Sequence, residues 1–301
     1  MNTQMKIATK SGKPGWNVWW RLLRPHTLTA SIVPVVIGTA LALQFEHFGT
    51  TLFFAMLLAS ILIQAATNMF NEYYDYVRGL DDNQSVGIGG AIVRDGVKAA
   101  TVLALALYFL GIALVLGFYI SMCTSWWLLP IGCICALIGY LYSGGPYPIS
   151  ATPLGELVSG ACMGVTIILI SYFIQAGMVT LQAVLVSLPT SFLIGAILMA
   201  NNIRDLEGDA RHGRKTLAIL LGRHSATLCL AGMFAVAYLW LGALVVAGIV
   251  TPWVLLAFIS LPKAVGAIKG FRKNTLPKLL MPSMVAAAQA NTRFGLALAV
   301  G

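Results

Sequence analysis

The chain has 301 residues, 58% of them hydrophobic and only 10% charged, with a formal net charge of +9. Soluble domains carry about 25% charged residues, so this chain has too little polar surface to cover a water-soluble globule, and its class is integral membrane. Anionic lipid headgroups account for the basic excess, which requires no nucleic-acid partner.

Residues 1–26 hold no apolar core of signal-peptide length and are expected as a cytoplasmic or interfacial N-terminal segment. Within it, Trp16, Trp19 and Trp20 beside Arg21 and Arg24 read as an interfacial aromatic anchor. Residues 27–301 are expected to form a single membrane-embedded domain. A helix needs roughly 20 apolar residues to cross a bilayer core of about 30 Å. Nine candidates follow in chain order: 27–44, 52–71, 99–121, 125–142, 153–174, 182–200, 225–248, 252–271 and 282–300. The fold class predicted is therefore all-α integral membrane, with nine transmembrane helices. Cys123, Cys133, Cys135, Cys162 and Cys229 lie in or beside apolar runs without metal or redox spacing and read as small buried hydrophobes.

All of the 19 lysines and arginines except Arg293 fall before the first span or in alternate connections: Arg78 to Lys98, Arg204 to Arg223, and Lys263 to Lys278. The intervening connections, near Phe45–Thr51, Ser121–Thr124, Gln175–Leu181 and Gly248–Thr251, contain none. The positive-inside rule makes the basic side cytoplasmic, so a multi-pass protein of the cytoplasmic (inner) membrane is expected, with its N-terminus inside. Arg293, accompanied by Gln289, Asn291 and Thr292 in the last span, reads either as a functional intramembrane charge or as snorkelling toward the outer interface from a short last helix.

The ten acidic residues are equally lopsided. Glu72, Asp75, Asp81, Asp82 and Asp95 follow the second span; Asp205, Glu207 and Asp209 follow the sixth; only Glu46 and Glu156 lie elsewhere. Asn71 and Asp75 are four apart, and Asn201, Asp205 and Asp209 repeat that interval. Residues at i and i+4 share one helix face, so each cluster presents a row of oxygens. Hard oxygen rows suit Mg²⁺, which takes one or two carboxylates together with substrate phosphate oxygens. Two facing rows can clamp a diphosphate, and Arg78, Arg94, Lys98, Arg204, Arg214 and Lys215 can neutralise the remaining phosphate charge. Gly87, Gly89 and Gly90 allow close backbone approach, or mark a turn.

Four stretches, "LRPHTLTASIVPVVIGTALA", "NEYYDYVRGLD", "YSGGPYPISATPLGE" and "NNIRDLEGDARHGRKTLAILLGR", together make the chain resemble the UbiA superfamily of intramembrane prenyltransferases over nearly its whole length. The "RPHTL", "GGPYP" and "NNIRDLEGD" wording is most similar to the 1,4-dihydroxy-2-naphthoate branch of menaquinone synthesis. The resemblance implies a ring of nine transmembrane helices around a central cavity, capped by cytoplasmic loops. It implies Asn71, Asp75 and Asp81 for a first Mg²⁺ site and Asp205 and Asp209 for a second, with Arg78 and Lys215 contacting diphosphate. The chain departs from the family pattern in three places. Glu72 stands where many members have Asp. Asp81 lies six residues after Asp75 instead of four. Tyr140 is followed by Gly144, where some members place a lysine.

The implied reaction moves a polyprenyl group from polyprenyl diphosphate to dihydroxynaphthoate, with loss of CO₂ and release of diphosphate, giving demethylmenaquinone in its reduced, quinol form. Metals and cations would stabilise charge on the leaving diphosphate, and apolar walls would keep water from an allylic cation. Arg24, His26 and Arg94 lie near the face where they could recognise the acceptor carboxylate, with helix capping or headgroup contact as the other reading of His26. Tyr140 and Asn201 join Arg24 and His26 as expected substrate contacts. The alternatives are another aromatic acceptor, such as 4-hydroxybenzoate, and a secondary transporter. Transporters place their sites near the membrane midplane, whereas the acids here gather at helix ends.

Overall fold

Lipid offers the backbone no hydrogen-bond partners, so a chain this apolar must close its bonds within helices or a barrel. The computed structural model describes residues 15–45, 48–80 and 90–301, the side chain of His26 excepted. Every regular element among them is helical. Asp81, Asp82, Gly87 and Gly89 lie outside the described residues.

Helix α1 (Trp16–Leu23) precedes the first span, with Val18 and Leu22 buried and Trp16 and Trp20 exposed. All nine expected segments are helical: α2 (Pro25–Ala42), α3 (Thr50–Val77), α4 (Ala99–Cys123), α5 (Leu128–Ser143), a fifth in pieces, α8 (Leu181–Arg211), α9 (Leu217–Val246), an eighth in pieces, and α11 (Pro277–Val300). The fifth comprises α6 (Gly155–Ser159), a π-helical stretch Gly160–Thr166 and α7 (Ile167–Ala176). The eighth is a 3-10 helix, Pro252–Ser260, running into α10 (Leu261–Lys273). Seven of the nine are long and apolar enough to cross a membrane. The 16-residue α5 and the polar-interrupted α11 are not among them. Helix α9 breaks at Gly222, whose φ of 74° only glycine adopts readily. The expected seventh span begins after that break.

Helix length places the acids. At 1.5 Å per residue, the 28 residues of α3 span about 42 Å and the 31 of α8 about 46 Å. Both overrun a hydrocarbon core of about 30 Å by several turns, and Asp75 and Asp209 sit at the ends of those overhangs.

Helix α8 is also the most buried span, 67% of its apolar window lying inside the protein. Leu193, Ala196, Met199 and Ile203 pack there against Leu230 and Phe234 of α9 and Ala287 and Phe294 of α11. On its other side, Gly160 and Gly164 form a small-xxx-small pair. A Cβ on Gly164 would come within 2.3 Å of the Ser191 backbone, so the two helices touch main chain to main chain. Pro189 cannot donate to the Leu185 carbonyl four residues earlier. Trp240 Nε1 of α9 donates to that oxygen at 3.0 Å instead, restoring the bond the proline removed.

Candidate active site

The cytoplasm-side identity of the two overhangs was an expectation; that they meet is an observation. Asn71 and Asp75 of α3 and Asn201, Asp205 and Asp209 of α8 all line one cavity of about 1100 Å³. Arg214, in the turn after α8, ties the rows together. Its Nη2 donates to Asp75 Oδ1, and its Nη1 donates to Asp209 Oδ1 at 3.2 Å. All three side chains are about 15% exposed or less. Burial works against the guanidinium charge, but Asp75 and then Asp209 outweigh it and hold the Arg214 pKa above its ordinary value.

Local backbone chemistry fixes that arginine. His212 N and Arg214 N both donate to the Asp209 carbonyl, at 3.2 and 3.1 Å, folding the turn back on the helix end. Lys215 N then donates to Ala151 O at 2.9 Å, anchoring the turn to the 3-10 turn Ile149–Ala151. Arg204 meets its neighbour Asp205 in a two-pronged contact, Nε to Oδ1 at 2.8 Å and Nη2 to Oδ2 at 2.5 Å. Its remaining nitrogen donates to the sulfur atoms of Met284 and Met281 on α11.

The other expected residues divide clearly. Arg24 lines the cavity and has a φ of 52°, the one positive φ outside glycine among the described residues. Its guanidinium lies 3.6 Å from Glu72. Strain of this kind collects at functional sites. Arg78 faces elsewhere: it donates to Ser143 O at 2.7 Å and Gly145 O at 2.8 Å, closing the C-terminal end of α5, and covers the Tyr74 ring. Tyr140 pairs its hydroxyl with that of Tyr74 at 2.7 Å and is not a cavity residue. Arg94, packed over Gly90, and Lys98 and Lys215 are exposed and do not line the cavity. The His26 side chain and Asp81 lie outside the described residues.

Glu72 has a different task from its neighbours. It is 1% exposed and accepts from the backbone N–H of Gly90 at 2.7 Å and of Ile92 at 3.3 Å. It holds the chain returning from the acidic loop and does not line the cavity. Sequence reasoning overlooked three further groups. Arg214 stood unranked among six cations, its bridging role hidden because it depends on a turn. Glu156, set aside as lying elsewhere, is buried and accepts from Asn202 Nδ2 at 2.8 Å, fixing a cavity residue of the second motif. Gln64 and Asn68 line the cavity inside an apolar span; their spacing with Ser60, at successive intervals of four, was the available signal.

Among the described residues no three Asp, Glu, His or Cys side chains converge as a preformed metal nest. The donor set still fits a hard divalent cation. Asn71, Asp75, Asn201, Asp205 and Asp209 offer only oxygen acceptors and amides. A guanidinium stands between Asp75 and Asp209, so the position already holds positive charge.

The UbiA prenyltransferase family matches residues 31–278. A 1,4-dihydroxy-2-naphthoate octaprenyltransferase from Bacillus subtilis (strain 168) is 53% identical over 94% of this chain and 91% of its own. A protein of the same name from Mycobacterium tuberculosis (strain ATCC 25618 / H37Rv) is 30% identical over 88% of this chain and 89% of its own. The structure of a UbiA homolog from Archaeoglobus fulgidus bound to GPP and Mg²⁺ shares the fold, with a TM-score of 0.68 over 93% of this chain and 99% of that one at 17% identity. Paired Asn/Asp rows at one end of a helical membrane bundle and a family match over most of the sequence agree: this chain is a member of the UbiA prenyltransferase family.

Proposed function

We propose that the protein transfers a polyprenyl group from polyprenyl diphosphate to 1,4-dihydroxy-2-naphthoate in menaquinone synthesis, releasing diphosphate and CO₂. Its 53% identity to the Bacillus subtilis enzyme of that name supports the acceptor. The observation that carries the reading is Arg214 joining Asp75 of the first motif to Asp209 of the second inside one cavity. In this reading the nine helices ring that cavity, and the motif face and N-terminus are cytoplasmic, in the cell membrane.

Asn71, Asp75 and Asp81 would hold one Mg²⁺ and Asp205 and Asp209, with Asn201 beside them, a second. Bound Mg²⁺ supplies Lewis-acid neutralisation of charge growing on the departing diphosphate. Arg214 is the chain's own contribution to the same end. It sits where both rows converge, and a guanidinium fork matches phosphate oxygens as well as carboxylates. Arg94, Lys98 and Lys215, exposed near the motif loops, draw the anionic head inward, while Arg78 shapes the rim by holding the end of α5. Arg24, with His26 nearby in sequence, receives the acceptor carboxylate. Deeper, Leu128, Ile138, Ile167 and Ile170 form apolar walls that exclude water from an allylic cation. They also bury the isoprenoid tail, at about 0.8 kcal/mol per CH₂.

The test uses purified full-length protein with polyprenyl diphosphate and either dihydroxynaphthoate or 4-hydroxybenzoate, reading products by mass spectrometry. Prenylated, decarboxylated naphthoate is expected, and a product only from hydroxybenzoate would reassign the acceptor. Asp75→Ala and Asp205→Ala are each expected to lose more than about 100-fold in turnover while inserting and purifying normally. Near-wild-type turnover in either variant would remove it from the site.

A further inference from the structure

The cavity has two unlike walls. On the α2–α3 side the lining includes Thr27, Ser31, Ser60, Gln64, Asn68 and Asn71. The lining from α4, α5 and the α6–α7 segment includes Leu114, Leu128, Leu129, Ile138, Ile167 and Ile170. Thr27, Ser31, Ser60 and Asn68 already bond within the protein, but an isoprenoid tail has no hydrogen-bonding group and would leave the free oxygen of the Gln64 amide dry, which is unfavourable in a membrane interior. The tail therefore belongs to the second wall. The polar wall is left for a substrate that carries polar groups of its own.

One side chain on that wall is poised for such a group. Asn68 is 6% exposed and its amide is fully used. Nδ2 donates to Leu23 O at 2.9 Å and to Thr27 Oγ1 at 3.0 Å, and Oδ1 accepts from Gln64 Nε2 at 3.3 Å. The Asn68 bonds tie α3 to the end of α1 and the start of α2, as buried amides do between membrane helices. The Gln64 bond does something else. It fixes the orientation of the Gln64 amide, whose Oε1 accepts no hydrogen bond among the described residues. Gln64 lies on the cavity face of α3, eleven residues before Asp75. That spacing is about 16 Å along the helix, which puts Gln64 on the membrane-interior side of the diphosphate end.

We infer that Gln64, oriented by Asn68, is a specificity-determining residue for the aromatic acceptor, its Oε1 accepting a hydrogen bond from a ring hydroxyl. The polar α2–α3 lining is then the acceptor's and the apolar α4–α5 lining the donor's, within one chamber. The assignment rests on the prenyl-transfer reading above. A site built to bond a hydroxyl discriminates against an analogue that lacks it far more strongly than an apolar pocket can, and this supplies the test.

Full-length wild type, Gln64→Leu, Gln64→Glu and Leu128→Ala would be purified into lipid nanodiscs. Steady-state constants would be measured for polyprenyl diphosphate, dihydroxynaphthoate and 1-hydroxy-2-naphthoate. Gln64→Leu should raise the KM for dihydroxynaphthoate about tenfold, with the donor KM and saturated rate within about twofold of wild type. It should also narrow the preference for the dihydroxy over the monohydroxy acceptor. Gln64→Glu, which keeps an acceptor oxygen, should retain more of that preference than Gln64→Leu. Leu128→Ala should move the donor KM and leave the acceptor's. Thermal melting of each variant separates these effects from misfolding. If Gln64→Leu melts below the assay temperature, the preference ratio of the Gln64→Glu variant decides, and a ratio near one, with no discrimination between the two naphthoates, overturns the assignment. Active wild type with unchanged acceptor constants and preference in Gln64→Leu also overturns it. Wild type that prenylates neither naphthoate overturns the functional reading and this inference together.

Discussion

Glu72 and Asp75, three residues apart on one helix, show how much a side chain's partners decide its use. Asp75 faces the cavity and Arg214, whereas Glu72 is sealed behind it against two backbone N–H groups. Removing the Glu72 carboxylate leaves the Gly90 and Ile92 amides buried and unpaired. Glu72→Ala is therefore expected to cost about 1–3 kcal/mol of stability, seen as a lower melting temperature in detergent. Its Mg²⁺ dependence should stay close to wild type; a large change there would return Glu72 to the metal site. Arg214 predicts the opposite pattern. Without it, Asp75 and Asp209 lose the guanidinium that bridges them, and the diphosphate loses a two-pronged partner. Arg214→Ala should lower kcat/KM for polyprenyl diphosphate about 100-fold, and Arg214→Lys should recover only part, because an ammonium cannot reach both carboxylates in one plane. Steady-state kinetics on the purified variants measure both. Sequence reasoning had the four-residue spacing of the acids, which is a local property. It could not rank Arg214, because the bridge depends on the turn at 209–215 being pinned to Ala151.

Among the elements, α8 carries the second motif and its placement is set far from that motif. Gly160 and Gly164 let the π-helical stretch come down onto Ser191, and Glu156 then reaches Asn202 three turns along. A Cβ at position 164 would strike the Ser191 main chain, which no rotamer change relieves. Gly164→Ala is expected to destabilise by about 1–3 kcal/mol, the usual cost of overpacking. It should also reduce turnover by displacing Asn202 and Asp205, while the corresponding change at Gly232, which has open space around it, should do neither. Paired melting and activity measurements on the two variants test this. The helices themselves were legible from apolar run length, because lipid leaves a chain no alternative. Their interruptions were less so. The π stretch, the 3-10 start of the eighth segment and the Gly222 break reflect packing against neighbours, and hydropathy carries no record of that. Gln64 and Asn68 were passed over for a related reason: two amides barely lower the hydropathy of a 28-residue span, though their spacing had marked the cavity face.

For the whole molecule the remaining matter is sidedness, since a prenyltransferase of this design works only if both motifs open to the compartment that supplies its diphosphate. The basic loops and the motif rows share one end: Arg214 contacts both rows, and Lys215 joins them to the turn at Ala151. The C-terminus lies at the other. Thr251 Oγ1 donates to the Gly301 carbonyl at 2.7 Å, placing the last residue against the uncharged α9-to-3-10 connection. The contact holds whether or not the 16-residue α5 and the polar-interrupted α11 cross the full bilayer core, so it supports sidedness independently of the span count. In the orientation proposed from the charge bias, the Arg/Lys end is cytoplasmic and the Gly301 end extracytoplasmic. Alkaline phosphatase fused after Gly301 should be active and green fluorescent protein at the same position dark. The two reporters inserted at Asn274–Thr275, beside Lys273 and at the mouth of the cavity, should reverse that result. Phosphatase activity at the 274–275 position would put the acidic rows outside the cell, away from a cytoplasmic supply of prenyl diphosphate, and the proposed reaction could not proceed there.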